Sequence, residues 1–407
     1  SIKTSCDSET EPQRTYSTLT NSFVPKGSSK HMTYRRCCVC GRESQVISAS
    51  LGVCLSCIRD NYAKSEPYII GAHARIREKF GLPATPPRTP GGVPCTLCAN
   101  ECVIGTGDRG YCGLRASSGR MFTSASDPDE AALYYYLDPQ VTNCCAAWFC
   151  PAGTGAGYPK YAYRPGPEVG YYNLALFFYG CNFDCLFCQN ASHKRLEEAP
   201  RCDRKALISV TLENERISCW CFFGGSPEPQ LPFAVSTSRT MLESKPTDRV
   251  LRICFEWNGA GNRLLVERAA ELALRSGGNI KFDLKCSTDA VSRALSGVSN
   301  RRSFENFEML FTKYGMGRPD MPLLTATTLL VPGYVDDQEV EKIAIFLAGL
   351  DNEIPYSLLV FHPDFMMSDL PVTPIRQVKD CYSVARRYLK RVNIGNLESL
   401  GLRSWTA

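Results

Sequence analysis

Three cysteines stand together in the run CNFDCLFCQN: Cys181, Cys185 and Cys188, spaced C-x3-C-x2-C. Three thiolates on one tight loop can hold three irons of a [4Fe–4S] cluster and leave the fourth iron open to an outside ligand, unlike a four-cysteine electron carrier. The plainer alternatives are three buried thiols, or a zinc knuckle short of one ligand. Gly180 before the loop and the aromatic Phe187 before its last cysteine favour the cluster.

These three belong to a larger excess, 22 cysteines in 407 residues. Cys37 or Cys38 with Cys40, then Cys54-x2-Cys57, form two pairs 13 residues apart. That is the spacing of a tetrahedral four-sulfur site for zinc or a mononuclear iron of rubredoxin type. Cys37 gives the standard CxxC spacing and leaves Cys38 as a spare. A second set, Cys95, Cys98, Cys102 and Cys112, falls within 18 residues among four glycines, and reads as a second metal or iron–sulfur site. Cys144, Cys145 and Cys150 lie in the Gly-rich run NCCAAWFCPAGTGAGYP. They either complete a cluster, sit beside the active site, or are simply buried thiols. Cys202, Cys219, Cys221, Cys254, Cys286 and Cys381 are scattered, as small core residues are.

Apolar residues are 44% and charged residues 21%, which excludes a mainly disordered, collagen-like or coiled-coil chain. A chain of this length buries a core without disulfide staples, so close-set cysteines read as ligands in a reducing, cytoplasmic setting. No apolar window reaches 18 residues and the first residues hold no apolar signal segment, so neither a membrane span nor secretion is expected. A net charge of +5 is too mild to argue for a nucleic-acid partner.

The elements that must position these groups divide the chain into five. Residues 1–35 read as a disordered-like tail, in which VPKGSSKHM looks like a cloning scar and Met32 like the natural start. Residues 36–62 are the four-cysteine metal knuckle. Residues 63–92 hold a helical pattern around Ile69 to Phe80, then the Pro/Gly linker TPPRTPGG. Residues 93–169 are rich in Cys and Gly, with few periodic elements, and read as a metal-binding region. From 170 to 407 apolar runs alternate with helical patterns. The runs lie at 173–179, 218–223, 250–257, 280–284, 323–331 and 356–361. The clearest helical patterns are NRLLVERAAELALRSGG, DQEVEKIAIFLAGL and roughly Pro374 to Leu389. This predicts an α/β fold, a full or partial (β/α) barrel of parallel strands, with the chemistry at the strand C-termini.

The three-cysteine loop resembles the signature of the radical S-adenosylmethionine (SAM) superfamily, and the resemblance spans roughly residues 93–400. It implies a [4Fe–4S] cluster whose open iron chelates SAM, an external one-electron reductant, and a 5′-deoxyadenosyl radical that takes hydrogen from the substrate. By the same resemblance Phe187 lies against the adenine. Gly224 and Gly225, in FFGGSPE, form the turn that receives the SAM amino group. Ser226 stands where the family commonly has an acidic residue, and Glu228 is the nearest substitute. Glu256 and Asn258 in CFEWNG, and Asp283 and Lys285 in FDLK, are further contacts at strand ends. Ile394 and Asn396 in VNIGN touch the adenine through backbone. His193 and His362 are either substrate or SAM contacts or packed histidines, and Cys254 and Cys286 are either core thiols or participants in radical transfer.

The segment from Cys95 to Arg115, and LLVPGYVDD with HPDFMMSDLPVT, resemble the pyruvate-formate-lyase-activating-like and AmmeMemoRadiSam-like branch. The architecture is also similar to archaeal enzymes that modify methyl-coenzyme M reductase, its glutamine C-methyltransferase in particular. That likeness implies C-methylation of an unactivated carbon in a protein or peptide, with cobalamin as methyl carrier, although no D-x-H-x-x-G segment is present. The alternative is a glycyl-radical-enzyme activase. An iron–sulfur electron carrier is the remote third reading, since a carrier has no use for the glycine turn.

Overall fold

Apolar runs too short for helices and too continuous for one-sided sheets demand burial on both faces. The computed structural model, which describes residues 33–119, 121–318 and 320–405, shows how they obtain it. The expected tail lies outside the described residues as far as position 32, and the cloning scar with it.

Nine strands share one sheet: β1 (Glu130–Pro139), β2 (Tyr172–Phe178), β3 (Arg201–Asp203), β4 (Ile217–Gly224), β5 (Arg252–Trp257), β6 (Ile280–Asp283), β7 (Leu324–Leu330), β8 (Tyr356–Val360) and β9 (Val392–Gly395). Their spatial order is β9-β8-β7-β6-β5-β4-β2-β1-β3. β2 and β4 to β9 run parallel to one another, and β1 is antiparallel to both β2 and β3. Among the described residues β9 and β3 are unjoined edges, so the expected full or partial barrel is a partial one.

Alternation on β4 shows how the faces are used. Trp220 and Phe222 are fully buried toward the helices, with the Trp220 indole donating to Thr211 Oγ1 at 3.0 Å and Phe222 stacked on Phe178 and Phe255. Cys219, Cys221 and Phe223 turn to the inner face. Register then builds an unusually polar inner wall, pairing Cys221 with Cys254, Glu256 with Lys281, and Asp283 with Thr327.

The helices end where their caps dictate. Asn262 accepts from the Leu264 and Leu265 amides to start Arg263–Ser276, and Gly277 closes it at φ 85°. Asp336 accepts from the Glu339 amide to start Asp337–Leu350. The third expected helix is Ile375–Arg386. The helix expected around Ile69 to Phe80 starts earlier than its pattern, covering Tyr62–Glu78. The Pro/Gly stretch after it is docked on the cysteine-rich region: Arg88 bridges Val103, and the Thr89 amide donates to Val103 O at 3.0 Å.

Candidate active site

Two residues beyond β2 stands Gly180 at φ 76°, where a Cβ would come within 2.8 Å of Leu114. The left-handed turn sends the chain across the C-terminal end of the sheet as the three-cysteine loop. That loop is fixed by the helix Asp289–Ser296, since the Asp184 amide donates to Ser296 O at 2.8 Å and the Leu186 amide to Leu295 O at 2.9 Å. The Asp184 carboxylate beneath it is buried and meets Lys194 Nζ at 2.5 Å, His73 Nδ1 at 2.8 Å and Arg77 at 3.4 Å. Burial alone would raise its pKa, but Lys194, His73 and Arg77 together hold it well below the usual carboxylate range.

Cys181, Cys185 and Cys188 line one cavity of about 150 Å³, and among the described residues no other cysteine lines it. Burial pushes the Cys181 thiol up, and the Cys188 thiol to about 11, with Cys185 adding to both. Such thiols ionise readily only against a metal. Three sulfurs and an open side toward the cavity fit a [4Fe–4S] cluster with one iron left for an outside ligand.

The opposite wall is the glycine turn. A Cβ on Gly224, at φ 109°, would meet Phe178 N at 2.7 Å, and one on Gly225 would meet Gly180 O at 2.1 Å. Only glycine fits at these two places, because the chain itself fills the space a Cβ would take, and both residues line the cavity with bare backbone. Ser226 and Asn258 line the cavity and bond to each other, Asn258 Nδ2 donating to Ser226 Oγ at 2.9 Å and to Asn182 Oδ1 at 2.7 Å. Phe187, Glu256, Asp283 and Lys285 line it as well. Lys285 Nζ sits 2.9 Å from Asp283 Oδ2 and 5.6 Å from the Phe187 ring centre. Burial works against its charge, yet Asp283 and Cys185 raise its pKa above the ordinary lysine value.

Three sequence-derived contacts fall elsewhere. Glu228 lies behind the glycine turn, where it accepts from the Gly259 amide at 2.6 Å, and burial pushes its pKa up to about 7. It braces the loop after β5 and does not line the cavity. Ile394 pairs with Leu358 and is buried on the helix side of β9. Asn396, at φ 59°, donates to Val360 O at 3.2 Å, outside the cavity. Of the histidines, His193 lines the cavity under Gly225, and burial with Lys194 keeps its ring neutral. His362 meets Gln189 at 2.9 Å.

The four knuckle sulfurs of Cys37, Cys40, Cys54 and Cys57 lie within 4.8 Å of one another, with Cys37–Cys57 and Cys40–Cys54 each 3.8 Å apart. A tetrahedron with bonds of ~2.3 Å has edges of ~3.8 Å, so the set fits a zinc or iron centre held by four sulfurs. Cys38 is exposed beside it. Burial, helped by neighbouring sulfurs, pushes the Cys98, Cys102 and Cys112 thiols up, and no three of the sulfurs of Cys95, Cys98, Cys102 and Cys112 come within the 4.8 Å that a single metal ion would require. Cys102 and Tyr111 also pack against Cys181 and Phe183, so this region braces the three-cysteine loop. Cys254 and Cys286 are both buried; Cys254 lies on the inner wall, and Asn300 donates to the Cys286 carbonyl at 2.6 Å. Sequence reasoning missed Lys281, whose ammonium meets Glu256 at 3.3 Å. Its signal was the alternation of IKFDLK, which turns Lys281, Asp283 and Lys285 to one face.

Residues 176–347 match the Radical SAM superfamily. An uncharacterised protein of Methanocaldococcus jannaschii is 22% identical over 316 residues, 75% of this chain and 81% of that protein. Among solved structures, Streptococcus suis SuiB bound to its precursor peptide SuiA aligns with a TM-score of 0.40 and 10% identity, over 55% of this chain and 48% of that one. SuiB bound to S-adenosylmethionine gives 0.38 and 11%, over 53% and 48%. The chain thus spans about half the length of these structures. From β2 to the helix Asp337–Leu350, with the three-cysteine loop at its strand ends, the chain carries a domain of the radical SAM superfamily.

Proposed function

We propose that this radical SAM enzyme cleaves SAM reductively at the Cys181–Cys185–Cys188 loop and removes hydrogen from a carbon of a protein or peptide. The product we propose is a C-methylated residue, with the glutamine of methyl-coenzyme M reductase as the substrate and cobalamin as the methyl carrier. One observation carries the SAM chemistry: three cysteines and a side-chain-free glycine turn face each other across a single cavity at the C-terminal ends of parallel strands. A loaded cluster supplies the electron, from an external reductant, that breaks the sulfonium bond of SAM. The chain's own residues bind and orient. The backbone of Gly224 and Gly225 receives the amino-acid end of SAM, Phe187 covers the adenine, and Glu256 with Asn258 takes the polar groups. Lys285 and Asp283 set the charge at the cavity wall. Among the described residues the sheet is unclosed, with β9 and β3 as its edges, which suits a substrate larger than a small molecule. The methyl carrier is inferred from the sequence resemblance to the archaeal enzymes that modify methyl-coenzyme M reductase.

The test is anaerobic reconstitution with iron and sulfide, followed by analysis of SAM products and of corrinoid absorption. 5′-Deoxyadenosine together with S-adenosylhomocysteine and bound corrinoid supports methyl transfer. 5′-Deoxyadenosine alone, without corrinoid affinity, sinks methylation and leaves the glycyl-radical activase. Cys185→Ala is expected to form no 5′-deoxyadenosine above the protein-free control, and retained cleavage would overturn the site.

A further inference from the structure

Cys144 and Cys145 take no part in the cavity just described. They enter the partial barrel from its other end, on the loop that follows β1. That loop is held rigidly. Trp148 Nε1 donates to Ser357 Oγ at 3.1 Å, Ser357 Oγ donates to Cys145 O at 2.9 Å, and the Arg391 guanidinium covers the Trp148 and Phe149 rings. The two sulfurs are thereby fixed against the inner wall, where Thr327 Oγ1 donates to Cys145 Sγ at 3.3 Å and Lys281 Nζ to Cys144 Sγ at 3.0 Å.

Both sulfurs and a Glu256 carboxylate oxygen lie within 4.8 Å of one another. Two thiolates and a carboxylate are the ligand types a thiophilic divalent cation takes. Charge points the same way. With both thiols ionised, the two sulfurs, Glu256 and Lys281 sum to two negative charges, which one divalent cation balances. Without a cation the pair keeps a proton: the Cys145 thiol and Lys281 hold Cys144 well below the usual thiol range, and Cys144 with burial holds Cys145 well above it. The Lys281 hydrogen bond uses one lone pair of the Cys144 sulfur and leaves others, as outer-shell donors to metal-bound thiolates do.

The position of the trio decides what kind of site this is. Cys144 and Glu256 line a cavity of about 350 Å³, and Glu256 also lines the SAM cavity. Three protein ligands beside a cavity differ from the closed four-sulfur knuckle, because an outside ligand can complete the shell. We propose that Cys144, Cys145 and Glu256 form a three-ligand site for a divalent cation of the zinc type, its open position facing this cavity and taking an oxygen or sulfur donor of the substrate. The site stands whichever carbon the enzyme modifies.

The test counts metal and needs no turnover. The full chain is purified anaerobically, reconstituted with iron and sulfide, saturated with Zn²⁺, desalted, and its zinc measured by mass spectrometry. The Cys144→Ser/Cys145→Ser double variant is expected to hold one zinc fewer per chain than the parent, with cluster iron unchanged. An equal zinc count in both proteins overturns the site. Glu256→Gln, which keeps size and both sulfurs, guards against a folding artefact, and should weaken binding of this zinc at least tenfold in a competition titration with a chromophoric chelator. Unchanged affinity in that variant also overturns the proposal.

Discussion

Glu168 and Arg252 show how much a single pair can decide. The Arg252 guanidinium, 1% exposed, meets both Glu168 oxygens at 2.6 and 2.8 Å and also bonds to Ser218 Oγ and Tyr161 O. Burial would raise the Glu168 pKa, but the bidentate guanidinium outweighs it and the value is lowered. A depressed carboxyl contributes stability that is present above its unfolded pKa, ~4.3, and is lost as pH falls through the folded value. Glu168→Gln leaves Arg252 buried without its counter-charge, which should cost about 3 kcal/mol at pH 7. Urea midpoints followed by circular dichroism should show a gap between the two proteins that is constant above pH ~5 and narrows below pH ~4. A gap independent of pH down to the acid limit would show that the carboxylate charge is irrelevant.

At the scale of elements, the three-cysteine loop depends on a helix far away in sequence. The helix Tyr62–Glu78 sends His73 and Arg77 to Asp184, and Lys194 comes from the short turn Ala191–Lys194. Arg77 also covers the Tyr111 ring at 3.5 Å, which ties the cysteine-rich region into the same knot. Asp184→Asn keeps the shape and removes the counter-ion, leaving Lys194 and Arg77 buried together. We expect a loss of about 3–5 kcal/mol in urea denaturation and a fall in cluster iron after identical reconstitution. Full iron content and an unshifted midpoint would mean that the helix does not position the loop. None of this was legible in the sequence, because Asp184 stands inside a motif whose cysteines draw the eye and its partners come from other segments. The parallel strands were legible, since β2 and β4 to β8 each fall on a short apolar-rich run that is largely buried. β1 was not. Its Glu130–Pro139 run lies amid Gly-rich sequence, and its outer half is largely exposed, so its pattern is buried at one end only.

At the scale of the whole molecule, the knuckle shares a hydrophobic core with the radical SAM domain through Ile47, Leu51, Val53 and Ile58, and polar ties add to that packing. Arg59 joins Asp336 at 2.5 Å and Glu339 at 2.8 Å, and the buried Glu339 carboxylate also accepts from Ser287 and Thr288, just beyond Lys285. Tyr334 donates to Val53 O at 2.9 Å and accepts from the Ser48 amide at 3.0 Å. The spacing of the knuckle cysteines was enough to foretell their meeting, because ligands on one hairpin and one helix start close only a few ways. Where the knuckle docks was hidden, since Arg59, Asp336 and Glu339 look in sequence like ordinary surface charges. The docking implies a division of labour that variants can separate. Cys40→Ala should lose about one metal ion per chain, as expected for a closed structural site. Its melting temperature should drop by several degrees while SAM cleavage by the surviving folded protein continues. Cys185→Ala should behave in the opposite sense, keeping its melting temperature and losing cleavage. Anaerobic differential scanning calorimetry run beside a 5′-deoxyadenosine assay reads both quantities on the same samples. If Cys40→Ala instead abolished cleavage with its melting temperature intact, the knuckle metal would belong to the chemistry, and the polar ties through Glu339 toward Lys285 would be the route by which it acts.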